Sequence, residues 1–178
     1  MLYAFGFDRI GILLSDLYFV DPDPAEGQGE GAERGVRLEL RALDREPLKG
    51  SVYSAQPISA GQPIWRVDLL ESVEGPPGSF DRVHHHPAFT GWEPGHRVYD
   101  RDLSHDPIRW LAAKLSDLPG VLKDAGVPAD IAGPDDSEAL RRATPEILEA
   151  TEELLGKVRR GQAGLAPADP ADFRVGWL

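Results

Sequence analysis

Hydrophobic and polar positions divide the chain into a part with the two-residue period of strands and a later part with the 3.6-residue period of helices. From Leu2 to Val20, apolar runs rich in Tyr, Phe, Ile and Val are interrupted by Gly6, Asp8-Arg9, Gly11 and Ser15-Asp16, which predicts two or three strands in succession. Asp21-Pro22-Asp23-Pro24 stops that pattern, and the stretch through Gly35, with its glycines and glutamates, reads as a solvated acidic loop. Val36-Arg37-Leu38-Glu39-Leu40-Arg41 alternates strictly, so Val36, Leu38 and Leu40 belong to a core face and Arg37, Glu39 and Arg41 to the other. Ser51 to Ile58 is expected to be a weaker strand and Ile64 to Val73 a stronger one, with the Gly61-Gln62-Pro63 turn joining them as a hairpin. After a turn over Glu74 to Ser79, Phe80 to His86 is expected to run back along the preceding strand until Pro87, which cannot donate to a ladder.

Helical signals take over at Asp106-Pro107, a cap followed by proline at the first helical position, with Ile108, Leu111, Ala112, Leu115 and Leu118 at helical spacing. Pro119-Gly120 is expected to break or kink this helix. A second helix is expected from about Asp136, kinked or restarted at Thr144-Pro145 and closed by Gly161. Its stripe of Ile147, Leu148, Thr151, Leu154, Leu155 and Val158 is either core or the seam of a homodimer. Strands followed by helices predict an α+β fold, an antiparallel sheet in the N-terminal two-thirds packed by C-terminal helices. Residues 1–106 are then mainly β, 107–161 mainly α, and 162–178 a tail whose Phe173, Val175 and Trp177 pack back.

Composition limits what such a fold can contain. A chain of 178 residues that is 41% hydrophobic can bury a real core and sits near the size of one domain, so one domain over 1–178 is expected. Cysteine is absent, which excludes disulfides and thiolate metal sites. Any metal must therefore use imidazole, carboxylate or carbonyl ligands. No apolar run approaches the roughly 20 residues that cross a bilayer, and the N-terminus lacks a basic leader, so a soluble cytoplasmic protein without membrane contact is expected. The net charge of -11 argues against an extended nucleic-acid footprint. Residues 33–109 are nonetheless close to balanced, with twelve acids and ten bases, and leave room for a local phosphate contact.

That balanced segment also holds the titratable chemistry. All five histidines fall between His84 and His105. On an extended backbone His84 and His86 share one face and His85 takes the other. Two imidazoles at i and i+2 can ligate one Zn²⁺, Mn²⁺ or Fe²⁺ if a further ligand joins them, and Asp68, Glu93 and His96 are the candidates. Register decides between two sites. Symmetric pairing about Pro76-Pro77 sets Asp68 opposite His85, beside Asp81 and Arg66, an arrangement for acid–base chemistry by His85, Asp68, Asp81 and Arg66. A one-residue slip brings Asp68 level with His84 and His86 instead, and the site becomes metal-like. Read structurally, the triplet is a partly buried polar strand end, Arg37, Arg66 and Arg97 form cross-strand ion pairs with Glu39, Asp68 or Glu71, and Trp65, Trp92 and Trp110 are packing residues.

Two resemblances bear on these residues. Gly78, five intervening residues, His84, one residue and His86 resemble the first half of the cupin metal motif, although the glutamate of that motif falls late, at Glu93. Arg66-Val67-Asp68 followed by His85-His86-Pro87 resembles the order found in TumE-type toxins, small α+β proteins, over about a quarter of the chain. That likeness implies phosphodiester chemistry at the histidine cluster. Three functional classes follow: a metal or acid–base site acting on a small or phosphate-containing ligand, a non-catalytic module binding a small molecule or protein, and a toxin-like ribonuclease.

Overall fold

Strand alternation builds a five-stranded antiparallel sheet whose neighbours follow chain order: β1 (Leu2–Gly6), β2 (Ile10–Val20), β3 (Ala32–Arg45), β4 (Ile58–Ser72) and β5 (His84–His86). The computed structural model describes residues 1–21 and 31–167; most of the acidic loop and the tail residues Phe173, Val175 and Trp177 lie outside them. A small hairpin of β6 (Phe89–Thr90) and β7 (Glu93–Pro94) follows the sheet. Then come α1 (Arg101–His105), α2 (Pro107–Ser116), α3 (Leu118–Asp124), a 3₁₀ turn (Ala129–Ile131) and α4 (Asp136–Arg159). This is the expected α+β arrangement, with the helices packed on the sheet. No helix among the described residues is long and apolar enough to cross a membrane.

The two faces of the sheet have different partners because side chains alternate along each strand. Ile10, Ile12 and Leu14 of β2, Val36, Leu38 and Leu40 of β3, and Trp65, Val67 and Leu69 of β4 are all buried in one core with the helices. The helical side comes from Leu103, Leu111, Leu115, Leu118, Leu140, Ile147, Leu154, Leu155 and Val158, so the stripe on α4 is core. Pairing Leu38 with both Leu14 and Val67 carries this apolar row straight across three strands. The residues between, Arg37, Glu39 and Arg41 on β3 and Arg66 and Asp68 on β4, therefore share the opposite face.

Several local expectations change. Ser51–Ser54 forms turns, and β4 runs unbroken from Ile58 through Gly61-Gln62-Pro63, where a hairpin is expected from sequence. The β3–β4 register shifts between Leu40 and Leu43, a bulge that absorbs Pro63, which has no N–H to give the ladder. Phe80 to Val83 does not extend the last strand. Phe80 adopts φ 47°, a left-handed conformation that turns the chain and leaves three paired residues in β5. Asp106 caps α2 through the Arg109 N–H as its sequence predicts. Pro119-Gly120 lies in the first turn of a separate helix, α3, capped by Asp117, and α4 continues through Pro145. At Gly35 a Cβ would stand 2.0 Å from the Leu69 carbonyl oxygen, so β3 and β4 can approach this closely only with glycine there.

One buried carboxylate joins the two layers. Asp136, at the start of α4, accepts from the N–H groups of Asp8 and Arg9 in the β1–β2 turn and from Gly133, at 2.7, 3.0 and 2.7 Å. Asp136→Ala leaves these donors without the acceptor and is expected to lower unfolding free energy by on the order of 3 kcal/mol, with Asp136→Asn losing less because its carbonyl still accepts. Urea denaturation of both variants measures this.

Candidate functional site

β4 and β5 pair with Arg66 opposite His86, Val67 opposite His85 and Asp68 opposite His84. This is the slipped register, and its cause lies in the loop. Ser79 and Asp81 fold the chain back early: Asp81 accepts from the Ser72 N–H at 2.9 Å and from the Ser79 hydroxyl at 2.8 Å. Asp81 is thus an exposed turn residue, away from the cluster that symmetric pairing would give it. The same slip turns His85 to the helical face, where its ring lies 5.0 Å from that of Trp110, itself stacked at 6.0 Å on Trp65. The backbone of His85 pairs with Val98, which covers the outer edge of β5. His85 and Asp68 are consequently on opposite sides of the sheet, and the expected acid–base pair between them does not form.

On the open face the register brings Asp68, His84 and His86 together. All three are buried, and one ligand atom from each lies within 4.8 Å of the others; among the described residues this is the one such group that could hold a metal ion. Arg37 donates from Nε to Asp68 Oδ1 at 2.7 Å and from Nη2 to Oδ2 at 3.3 Å, the cross-strand pair expected of it. Arg66 stands on the other side, its Nε 3.0 Å from Asp68 Oδ2 without hydrogen-bond geometry, so this contact is one of charge. Its Nη2 lies 2.8 Å from His86 Nε2.

Hydrogen bonds fix the protons on the rings. Carbonyl oxygens only accept, so His86 Nδ1, 2.7 Å from the Gly95 oxygen, and His84 Nδ1, 2.9 Å from the Arg82 oxygen, both carry hydrogen. His86 Nε2 is then the acceptor that takes the Arg66 N–H, and the ring is neutral. Burial and the Arg66 charge push its pKa down to about 4. His84 is different. Its Nε2 lies 3.3 Å from Asp68 Oδ2, and a bare lone pair cannot face a carboxylate oxygen at that distance; a proton or a cation has to sit between them. Asp68 itself stays ionised: burial raises its pKa, but Arg37, the His84 contact and Arg66 outweigh burial and hold it well below the usual carboxylate range.

A cavity of about 620 Å³ opens over this cluster, lined by Arg37, Arg66, Asp68, His84 and His86 from the sheet, Glu93, His96 and Arg97 from the hairpin and the segment after it, and Leu17, Phe19 and Leu70. Glu93 and His96 thus reach the same hollow, on its exposed side, but stand outside the close Asp68–His84–His86 group. Arg97 pairs with Asp21 at 2.9 Å and lies over the Phe19 ring. Comparison with known proteins finds no matching family model, no matching curated protein and no matching solved structure. The geometry alone therefore carries the reading of this site.

Glu33 is a buried acid beside the site, not among the residues lining the cavity, that sequence reasoning passes over. It lies in the same β3 row as Arg37, two residues beyond Gly35, and is buried with Oε2 lacking a hydrogen-bond partner among the described residues. Burial raises its pKa, with Arg97, His84 and Arg82 only partly offsetting that. Its signal in the sequence was positional: the strand alternation extends N-terminally to Ala32 on β3.

The buried rings also make the fold acid-sensitive. Burial and Lys114 push His85 down to about 4 as well, so both His85 and His86 are neutral when folded but take up protons near pH 6.5 when unfolded. Depressed folded values mean stability is full above about pH 6.5 and declines as pH falls towards 4. His85→Phe, which keeps a flat ring against Trp110 and cannot take a proton, is expected to show a shallower decline in urea midpoint over this window than the unaltered chain.

Proposed function

We propose that the open face of the sheet binds a small phosphate-containing anion and acts on it by proton transfer through His84 and His86. The observation that carries this reading is the place of Arg66. Its guanidinium already occupies the approach to His86 Nε2 and Asp68 Oδ2, where a metal would need two of its ligands. Three guanidiniums, Arg37, Arg66 and Arg97, line the cavity; Arg37 and Arg66 share the single charge of Asp68, while Arg97 is paired with Asp21 and Glu93 stands at the rim. Two guanidiniums on one carboxylate present planar N–H groups that suit phosphate, which accepts paired N–H bonds. A divalent ion beside the same groups meets repulsion.

Anion entry gives Arg66 a stronger acceptor than a neutral imidazole, so the guanidinium turns to the phosphate oxygens and His86 Nε2 is released as a base. His84 is the matching acid once its Nε2–H exchanges Asp68 for a phosphate oxygen, its Nδ1–H staying on the Arg82 carbonyl. Asp68 orients the His84 ring and keeps Arg37 and Arg66 charged in the buried site. Of the toxin-like set, Arg66, Asp68 and His86 fit this scheme and His85 does not, since it faces the helices.

A second reading has one observation in its favour. Asp68, His84 and His86 converge, and each imidazole Nδ1 is tied to a backbone carbonyl, the outer-shell arrangement that orients metal-binding histidines. Zn²⁺, Mn²⁺ or Fe²⁺ would be held by these three, with Arg66 displaced.

Calorimetric titration separates the two. Inorganic phosphate is expected to bind with one equivalent, and Arg66→Met, which keeps the stem but removes the charge, is expected to weaken it by about tenfold or more, the worth of a charge-assisted hydrogen bond. No heat with phosphate, together with one equivalent of Zn²⁺, Mn²⁺ or Fe²⁺ lost in the His84→Ala, His86→Ala double variant, would replace the anion reading with the metal one.

A further inference from the structure

A second hollow of about 340 Å³ adjoins the first on the same sheet face. Arg37 lines both, and Leu13, Ser15, Glu39, Arg41 and Trp92 line the second. Consecutive residues of the β6–β7 turn divide between the two hollows, Trp92 facing the second and Glu93 the first. The turn is fastened to β4 by Gln62, whose side chain donates to the Gly91 carbonyl at 3.1 Å.

Trp92 is 63% exposed, which is unusual for the largest apolar side chain when it stands over a cavity. The Arg41 guanidinium lies 5.4 Å from its ring centroid and is oriented from below by Glu39 at 2.7 Å. The guanidinium lies over one face of the indole, and the exposed remainder of the ring is the surface on which a planar ring stacks. The remaining lining mixes apolar Leu2, Leu13 and Ala60 with the Ser15 hydroxyl and the Glu39 carboxylate. Those polar groups would be left dry by an acyl chain, whereas the edge of a nucleobase carries donors and acceptors that meet them.

We propose that the Trp92 hollow is a subsite for the base of a nucleotide whose phosphate occupies the neighbouring arginine and histidine cavity. This rests on the anion reading of that cavity and adds its substrate class. Arg37, common to both hollows, then lies beneath the sugar. Together the two volumes fall in the range of small-ligand sites.

The test uses the full chain and five probes in calorimetry: inorganic phosphate, ribose 5-phosphate, adenosine and uridine monophosphates, and octyl phosphate. The nucleotides are expected to bind about tenfold or more tighter than ribose 5-phosphate. That advantage is expected to vanish in Trp92→Ala and to persist in Trp92→Phe, while inorganic phosphate, which does not reach the indole, reports whether the arginine cavity is intact in each variant. Nucleotides binding no better than ribose 5-phosphate, or losing nothing in Trp92→Ala, would overturn the base subsite and leave the phosphate reading in place. Octyl phosphate binding tighter than either nucleotide would overturn it in favour of an apolar occupant. Absence of heat with every probe would overturn both readings together.

Discussion

Asp68 carries a full negative charge in the interior of a sheet, and most of what surrounds it follows from keeping that charge there. Desolvating a carboxylate costs several kcal/mol, more than a single surface-type ion pair returns. Three strands contribute to the compensation: Arg37 from β3, Arg66 from the same strand as Asp68, and His84 from β5. The carboxylate therefore links β3, β4 and β5 at one level, and a change of register at either junction would strand it. Hydrophobic residues of the same volume would hold those strands together as well or better. A buried polar cluster on the face that lacks helices is thus poorly explained as a stabilising device.

Alternation is what separates the use from the scaffold. Leu38 is flanked on β3 by Arg37 and Glu39, and Val67 on β4 by Arg66 and Asp68; each pair differs by one position and ends on opposite faces. The triplet in β5 obeys the same rule. His84 and His86 enter the polar face, while His85 completes an aromatic layer with Trp65 and Trp110 between sheet and helices. Burial with Lys114 pushes His85 down as far as burial with Arg66 pushes His86, so a displaced titration is no mark of chemistry by itself. Access to the open cavity distinguishes them.

Much of this is legible in the sequence. Strict alternation at Val36 to Arg41 assigns both faces of β3, Asp106-Pro107 marks the start of α2, and the spacing from Ile147 to Val158 marks the buried side of α4. The spacing of His84 and His86 also narrows the site to one short segment. Register was beyond reach, because it depends on where Asp81 caps the preceding turn, and a serine–aspartate turn can close the chain at more than one residue. Pro63 misled for a related reason: proline and glycine in sequence signal a turn, but a bulge accommodates them within a continuous strand. Arg97 and Arg37 come from segments far apart in the chain, and only the folded arrangement gives them a common cavity wall.

The contact between His84 Nε2 and Asp68 Oδ2 constrains every chemical reading of the site. With Nδ1 committed to the Arg82 carbonyl, the second nitrogen must either bear a proton or share a cation with the carboxylate. A proton on Nε2 points at Asp68 Oδ2, so the ring gives a donor to an anion when that contact is exchanged. A metal satisfies the same pair of atoms but has to displace Arg66 from His86, against the charge of Arg37 that holds the far side of Asp68. Arg37 keeps two hydrogen bonds to the same buried carboxylate, so its charge stays beside whatever sits between His84 and Asp68. Proton and metal ion alike meet the electrostatic balance that this one residue sets.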